Sequence, residues 1–168
     1  YFMRMNLRQV GQTKPGPVQI VEVDLDVLFA DSEAGQLKAE NEYQRVCGTI
    51  PAEVGAGGSM ALDAGEDWVY YRIGKAEAER RIASGMKIDA NIGPGNMEEG
   101  PSGIGKMNIK TGETGLVVIL PFQVVTIQAN PSVPGEIVFC RESGDRAPRR
   151  SWTVMSDGSG LRPQGAGH

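Results

Sequence analysis

The sequence predicts a mainly β protein: an antiparallel sandwich or partly closed barrel of about eight short strands, with two short helices inserted in its first half. Valine and isoleucine total 26 residues against 8 leucines, and β-branched side chains fit pleated, half-buried surfaces better than helix cores. The 168 residues also include 23 Gly and 10 Pro, which separate short apolar segments as turns do. This length favours one domain, predicted at 1–156 and followed by a flexible Gly/Pro-rich tail at 157–168.

The first clear strand is predicted at 18–30, where apolar and polar residues alternate. The apolar phase changes between Ile20 and Val21, and a β-bulge at this step would keep both sets of apolar side chains on the buried face. An Asp-Ser pair and a later Cys-Gly pair mark the start and the end of a first helix, which is predicted over 32–47.

A second helix is predicted over 75–84, which is rich in Ala, Glu and Arg and is followed by Gly85. Glu77 stands four residues before Arg81, a spacing that brings opposite charges together on one helix face. The helix has few apolar residues, so we expect it at the surface. Residues 86–92 alternate between apolar and polar types and are predicted as a strand.

The second half of the chain begins with a segment rich in Gly and Pro at 93–105, predicted as an exposed, irregular loop. The most apolar strand region follows at 116–127. Pro121 should divide it into two strands, because proline cannot donate a hydrogen bond within a central ladder. The last strands are predicted at 137–139 and 152–155.

Three aromatic residues, Trp68, Tyr70 and Tyr71, lie in a predicted strand at 67–73. Aromatic rings of this kind can form a platform for a sugar or another ligand. In a strand, however, Trp68 and Tyr70 share one face while Tyr71 points to the other. At least one face should therefore belong to the core, and a core role is the stronger interpretation.

Charge and histidine content exclude several classes of protein. The formal net charge of −4 argues against nucleic acid as the main partner. The single histidine, His168, is the last residue, so Ser-His-Asp and Cys-His catalysis and metal sites built from paired histidines are not expected. The sequence predicts no cofactor and no metal. No apolar segment reaches the length of a membrane helix, so no membrane span is predicted.

The two cysteines, Cys47 and Cys140, lack the paired spacing of a zinc cluster or a redox motif. Each lies at the edge of an apolar segment. Two buried thiols and one long-range disulfide are both compatible with this placement.

The segment Gly100-Pro-Ser-Gly-Ile-Gly-Lys106-Met107 resembles a Walker A phosphate loop, in which backbone amides and the lysine hold the phosphates of a nucleotide. Met107 stands where the motif has a Ser or Thr for Mg²⁺, and the residues that follow are rich in turn formers instead of opening a helix. A plain glycine-rich loop is the stronger interpretation.

The Gly-Ser59-Met60 segment resembles the serine box of Ser-Lys peptidases such as signal peptidases, which are β-rich and need no histidine. The resemblance implies a serine made nucleophilic by a lysine of lowered pKa. The region in which that lysine would lie offers arginines, which stay protonated and cannot act as the base. A histidine-free hydrolase of this type is kept as an alternative.

Glu22, Asp24 and Asp26 occupy alternate positions of the strand predicted at 18–30, which would place all three carboxylates on one face. Such a row could bind a hard cation with further oxygen ligands, or dock a basic partner. A solvated outer face that resists sheet-to-sheet association is the stronger interpretation. All three interpretations stay open at this point.

Charge is distributed unevenly along the chain. Residues 22–42 carry seven acids against Lys38, a net charge of −6, whereas residues 141–168 carry five arginines against three acids, a net charge of +2. The acids are Glu22, Asp24, Asp26, Asp31, Glu33, Glu40 and Glu42; the arginines are Arg141, Arg146, Arg149, Arg150 and Arg162. The two segments could contact each other within one molecule or between copies, or be solvated independently.

These observations together predict that the chain is a non-enzymatic structural or interaction protein that self-associates, of the kind found in virions, phages or surface filaments. Its expected partners are copies of itself or another structural subunit. A small sugar-, peptide- or ion-binding module and the Ser-Lys hydrolase are the alternatives. The sequence does not define the compartment; a soluble protein of this kind could be extracellular or virion-associated.

Overall fold

A computed structural model describes residues 1–5, 16–89, 92, 100–141 and 151–165. The chain is mainly β, and its described residues form 11 strands in three antiparallel sheets and two short α-helices. Among the described residues the strands do not close into a barrel. The predicted antiparallel, mainly β fold with two short helices is confirmed.

Each sheet is a meander in which strands consecutive in the sequence pair with each other. The first sheet contains β1 Phe2–Met5, β2 Val18–Val23 and β3 Gln44–Ile50. The second contains β4 Met60–Leu62, β5 Trp68–Ile73, β6 Ser102–Asn108 and β7 Thr114–Leu120. The third contains β8 Val124–Ala129, β9 Glu136–Arg141, β10 Ser151–Met155 and β11 Arg162–Pro163. The helices are α1 Leu25–Glu33 and α2 Lys75–Ala83.

The second sheet lies between the first and the third and is buried on both faces. Tyr71 on one face belongs to an apolar cluster with Ile20 and Ile50 of the first sheet. Tyr70, the next residue, points the other way into a second cluster with Phe139 of the third sheet. Both predicted faces of the aromatic strand are therefore core. Consecutive antiparallel sheets stacked face to face have the arrangement of neighbouring blades in a β-propeller.

Asp63 links the second and third sheets through a buried carboxylate. Its Oδ1 accepts hydrogen bonds from the Tyr70 hydroxyl at 2.8 Å and from Gly135 N at 2.7 Å, and its Oδ2 accepts one from Gly65 N at 2.8 Å. Burial acts to raise the pKa of this carboxyl, but the hydrogen bonds outweigh burial and hold the pKa below its ordinary value. Donors of the protein thus take the place of water around this carboxylate.

Several local predictions are confirmed. The pairing of β2 with β3 shifts register between Ile20 and Val21, where the bulge is expected. Pro121 separates β7 from β8. Helix α2 ends one residue before its predicted end, and Arg81 Nε lies 2.7 Å from Glu77 Oε1. The prediction that α2 sits at the surface is only partly right, because Glu77 itself is buried.

The strand predicted at 18–30 ends at Val23, which is a correction to the prediction. Asp24 caps α1 instead, since its Oδ1 accepts a hydrogen bond from Val27 N at 3.0 Å. This local capping bond competes with the alternation that favours a strand. The helix predicted over 32–47 is also wrong: β3 occupies its last four residues, from Gln44 onwards.

In the second half of the chain, two glycines predicted to lie in a loop belong to a strand. Strand β6 begins at Ser102, inside the predicted loop at 93–105, of which 93–99 lie outside the described residues. Both Gly103 and Gly105 lie in this strand, at positions where neighbouring atoms leave no room for a larger side chain. A Cβ on Gly103 would lie 2.6 Å from Val118 O. The strand predicted at 86–92 is absent from its described part, 86–89 and 92.

The predicted tail contains β11, which pairs with Trp152 and Thr153 of β10. The domain boundary after residue 156 and the flexibility of the tail stay predictions. Of the helices formed by the described residues, none combines the length and the apolar character needed to cross a membrane.

Candidate functional site

Two arginines lie at one end of the second and third sheets, each in contact with the turn between β7 and β8. Arg72 lies near the end of β5, and Arg141 is the last residue of β9, where it pairs with Val124 of β8. The antiparallel register brings the end of β5 beside the start of β6, and the turn between β7 and β8 contacts Arg72 through Gln123 and Arg141 through Phe122. We call this edge, formed by Arg72, Gln123 and Arg141 together with Gly100 and Phe122, the Arg72 end.

Gln123 is the central polar residue of the Arg72 end, and only 7% of its surface is exposed. Its Nε2 donates hydrogen bonds to Gly100 O at 3.0 Å and to Pro101 O at 2.8 Å. These two bonds fix the orientation of the amide, so Oε1 faces Arg72 and accepts a hydrogen bond from Arg72 Nη2 at 3.0 Å. Gln123 therefore holds one edge of the Arg72 guanidinium in place.

Arg72 is half-buried, and part of its guanidinium has no described hydrogen-bond acceptor. Its Nε is buried and has no hydrogen-bond partner among the described residues. It also makes no ion pair with a carboxylate in the described part of the chain. A buried donor without an acceptor carries a desolvation cost. The planar guanidinium is suited to bidentate recognition of a carboxylate or phosphate.

Arg141 is held against an aromatic ring at the same end. Its Cζ lies 4.9 Å from the centroid of Phe122, within the range of a cation–π interaction. Phe122 packs in turn against Trp152, with ring centroids 5.6 Å apart, and against Phe139 at 6.4 Å. The apolar cluster between the sheets thus supports a buried guanidinium at its margin.

Ser102 fastens the turn that carries Phe122 and Gln123. Its Oγ donates a hydrogen bond to Phe122 O at 2.7 Å and accepts one from Val124 N at 2.8 Å. The serine belongs to β6 and the turn leads into β8, so these bonds join the second sheet to the third. The site is therefore built on rigid elements.

Lys75 adds a third cationic side chain near this end. It lies across Gly100, where an added Cβ would stand 2.9 Å from Lys75 Nζ. Its one described ion pair is a long contact of 3.9 Å with Glu79 on the same helix. The Arg72 end thus combines cations with fixed backbone and amide groups, an arrangement suited to an anionic ligand.

The described residues contain no group of three or more His, Cys, Asp or Glu that could hold a metal ion. His168 lies outside the described residues.

The acidic residues singled out in the sequence do not share a strand face. Glu22 is on β2, where it accepts hydrogen bonds from Arg45 at 2.9 Å and from the Tyr1 hydroxyl at 2.7 Å. These bonds lower the pKa of the Glu22 carboxyl. Asp24 caps α1 and Asp26 lies in its first turn. Their role in an interaction stays a prediction.

Of the basic residues predicted for interaction, Arg141 is part of the Arg72 end. Arg146, Arg149 and Arg150 lie outside the described residues.

Ser59 has a structural role that the sequence did not indicate. Its hydroxyl donates a hydrogen bond to Ile127 O at 3.1 Å and accepts one from Ile127 N at 2.8 Å, which ties the start of β4 to β8. The lysine nearest the resembled phosphate motif, Lys106, donates to Ser156 O and lies over Trp68. Neither the serine-box nor the phosphate-loop resemblance corresponds to a built site.

Both cysteines are free thiols in the structure. Cys47 is buried between the first and second sheets, and burial raises the pKa of its thiol. Cys140 is half-buried on β9.

Arg72 and Gln123 were not recognised in the sequence. The available signal was an arginine at the end of two β-branched and aromatic segments, Trp-Val-Tyr-Tyr-Arg and Ile-Val-Phe-Cys-Arg. These segments form β5 and β9, which are each the second strand of their sheet, and so both arginines lie at the same end of the two sheets. Sequence spacing alone did not indicate that proximity.

Comparison of the sequence with protein-family models and with curated proteins gives no match. Comparison of the fold with solved structures gives an oligogalacturonate lyase in complex with manganese, with a TM-score of 0.56 and 15% identity, covering 88% of this chain and 36% of the lyase. An oligogalacturonate lyase from Vibrio parahaemolyticus matches with a TM-score of 0.53 and 17% identity, covering 76% of this chain and 33% of that protein. The chain thus shares its fold with about a third of each lyase.

These comparisons correct the functional prediction. The predicted non-enzymatic component of a virion, phage or surface filament is wrong, because the two lyases that share this fold are enzymes. Self-association stays a prediction. The manganese belongs to one of those lyases, and the described residues here offer no cluster of ligands for such an ion.

Proposed function

We propose that this chain is part of an enzyme-type β-propeller whose Arg72 end binds an acidic saccharide of the oligogalacturonate class. The stacked meander sheets and their likeness to oligogalacturonate lyases support the architecture. The observation that carries the ligand class is Arg72, a half-buried guanidinium that Gln123 orients through Nη2 and that makes no ion pair with a described carboxylate.

The chemistry of the ligand matches this arrangement. Each unit of an oligogalacturonate carries a carboxylate, and a guanidinium binds a carboxylate through two parallel hydrogen bonds. A lyase acting on a uronate removes the proton next to that carboxylate, so a cation beside the carboxylate stabilises the negative charge that develops. In this proposal Arg72 binds and neutralises the carboxylate, and Arg141 adds positive charge at the same edge.

Calorimetric titration with trigalacturonate tests the proposal. The matched ligand is the methyl ester of the same trisaccharide, which keeps the sugar rings and removes the charges. We expect saturable binding of the acid and affinity for the ester that is lower by roughly ten- to a hundredfold, the range of a charge-assisted hydrogen bond.

Two variants locate the site. Arg72→Met keeps much of the side-chain volume and should reduce the affinity for trigalacturonate by roughly tenfold or more. Arg162→Met is the control, because Arg162 is exposed and bonded to Glu136 away from the Arg72 end; it should bind as the unaltered chain does. Equal affinity for acid and ester, or no effect of Arg72→Met, would refute the proposal.

A further inference from the structure

Helix α1 presents apolar side chains to solvent at the end of the sheets opposite to the Arg72 end. It follows Val23, where β2 stops, and β3 begins after it at Gln44. None of its nine residues is buried. Leu25 is 54% exposed and Phe29 is 58% exposed, and Leu37, after the helix, is 63% exposed. We call Leu25, Val27, Phe29 and Leu37 the α1 surface.

The helix is held by polar contacts and not by apolar packing. Asp24 caps its first turn. Near its other end, Asp31 Oδ2 accepts a hydrogen bond from the Tyr43 hydroxyl at 2.8 Å, and the same hydroxyl accepts one from Lys38 N at 2.9 Å. A helix of this length is marginal in water on its own. The polar contacts therefore hold Leu25 and Phe29 exposed on one side of the helix, while Val27 is exposed on another side.

The rim of the α1 surface is acidic. Asp26 and Glu33 on the helix and Glu40 and Glu42 after it are all exposed. Lys38 is the single basic residue in 22–42 and lies 3.4 Å from Asp31. The local charge is thus negative around apolar side chains, although the opposite end of the sheets is cationic.

We propose that the α1 surface docks a basic amphipathic helix of another protein. Leu25 and Phe29 are four residues apart and so lie on one side of α1, which matches the anchor spacing with which amphipathic helices pack against each other. The acidic rim complements lysine or arginine on the flanks of the incoming helix and disfavours an acidic one. The apolar contact provides the affinity, and the acidic rim selects a positively charged partner.

The test is an NMR titration of the ¹⁵N-labelled full chain with a synthetic Leu/Lys amphipathic helix. Saturable shifts confined to residues 25–42 are expected. A Leu/Glu peptide of the same apolar pattern is the matched probe and should not bind. Shifts spread over the whole surface, or equal binding of the Leu/Glu peptide, would overturn the proposal.

Variants separate the two contributions. Phe29→Ser should weaken binding of the Leu/Lys peptide by roughly tenfold or more, without loss of folding, because the side chain is exposed. Val133→Ser is the control, since Val133 is 42% exposed in a turn outside the α1 surface. The double change Asp26→Asn with Glu33→Gln should weaken binding and reduce its dependence on salt. Unchanged affinity in Phe29→Ser contradicts the proposal.

Discussion

Arg72 Nη2 donates a hydrogen bond of 3.0 Å to Gln123 Oε1, and this bond joins the second sheet to the turn that opens the third. The amide is itself fixed by the carbonyls of Gly100 and Pro101. The orientation of the arginine therefore depends on a residue that itself bonds Gly100, Pro101 and Arg72 of the described chain. Gln123 is a positioning residue for Arg72.

Replacing Gln123 with leucine should cost stability and weaken ligand binding together. Gln123→Leu preserves size but leaves two buried carbonyls without their described donor, which costs roughly 1–3 kcal/mol. Urea unfolding gives the stability, and trigalacturonate titration gives the affinity. Gln128→Leu is the control, because Gln128 is exposed on β8 and should change neither quantity. A Gln123→Leu variant as stable as the unaltered chain would contradict the described network.

Asp63 should make the stability depend on pH in the acid range. The folded-state pKa of this carboxyl is lowered, so its contribution is complete above its unfolded pKa of about 4 and is lost as the pH falls through the lower folded value. Asp63→Asn should cost roughly 1–3 kcal/mol near neutral pH and less in acid. Unfolding by urea across this pH range measures the difference.

The control for that measurement is Asp67→Asn. The Asp67 side chain is 49% exposed and pairs with Lys110 at 2.6 Å, and ion pairs this exposed contribute little. Its stability should follow that of the unaltered chain at every pH. If Asp63→Asn and Asp67→Asn behaved alike, Asp63 would not link the sheets as described.

Two strand glycines should respond differently to alanine. A Cβ on Gly105 would lie 2.6 Å from the ring of buried Tyr71, whereas a Cβ on Gly115 would lie 3.4 Å from Lys106 Cε, an ordinary van der Waals distance. Gly105→Ala should therefore destabilise the chain by roughly 1–3 kcal/mol. Gly115→Ala should be close to neutral. Thermal or urea unfolding of both variants provides the comparison, and equal stabilities would contradict the packing of Tyr71 on Gly105.

Sequence patterns predicted the elements whose periodicity was local. The bulge at Ile20 and Val21, the break at Pro121 and helix α2 all follow from alternation, proline chemistry and charge spacing within a few residues. Helix α1 was missed because its apolar and acidic residues also alternate, and a single capping bond from Asp24 decided the outcome. Gly103 and Gly105 favoured a loop in the sequence, but in the structure they allow neighbouring atoms to pack closely against β6.

The candidate site depends on contacts between sheets. Arg72 meets Gln123 only because β5 of the second sheet ends beside the turn before β8. No short-range pattern connects a strand-end arginine with a glutamine in a distant turn. Arg141 was singled out for its charge, but its place against Phe122 required the register of β8 with β9.

The most direct test of the acidic-saccharide proposal is the ¹⁵N–¹H signal of the Arg72 Nε–H group during titration with trigalacturonate. Loss of one signal in Arg72→Lys assigns it. The account predicts that this signal shifts saturably with the acid and stays in place with its methyl ester. A ligand that binds while the Arg72 signal does not move, or an ester that moves it equally, would contradict the assignment of Arg72 as the carboxylate-binding residue.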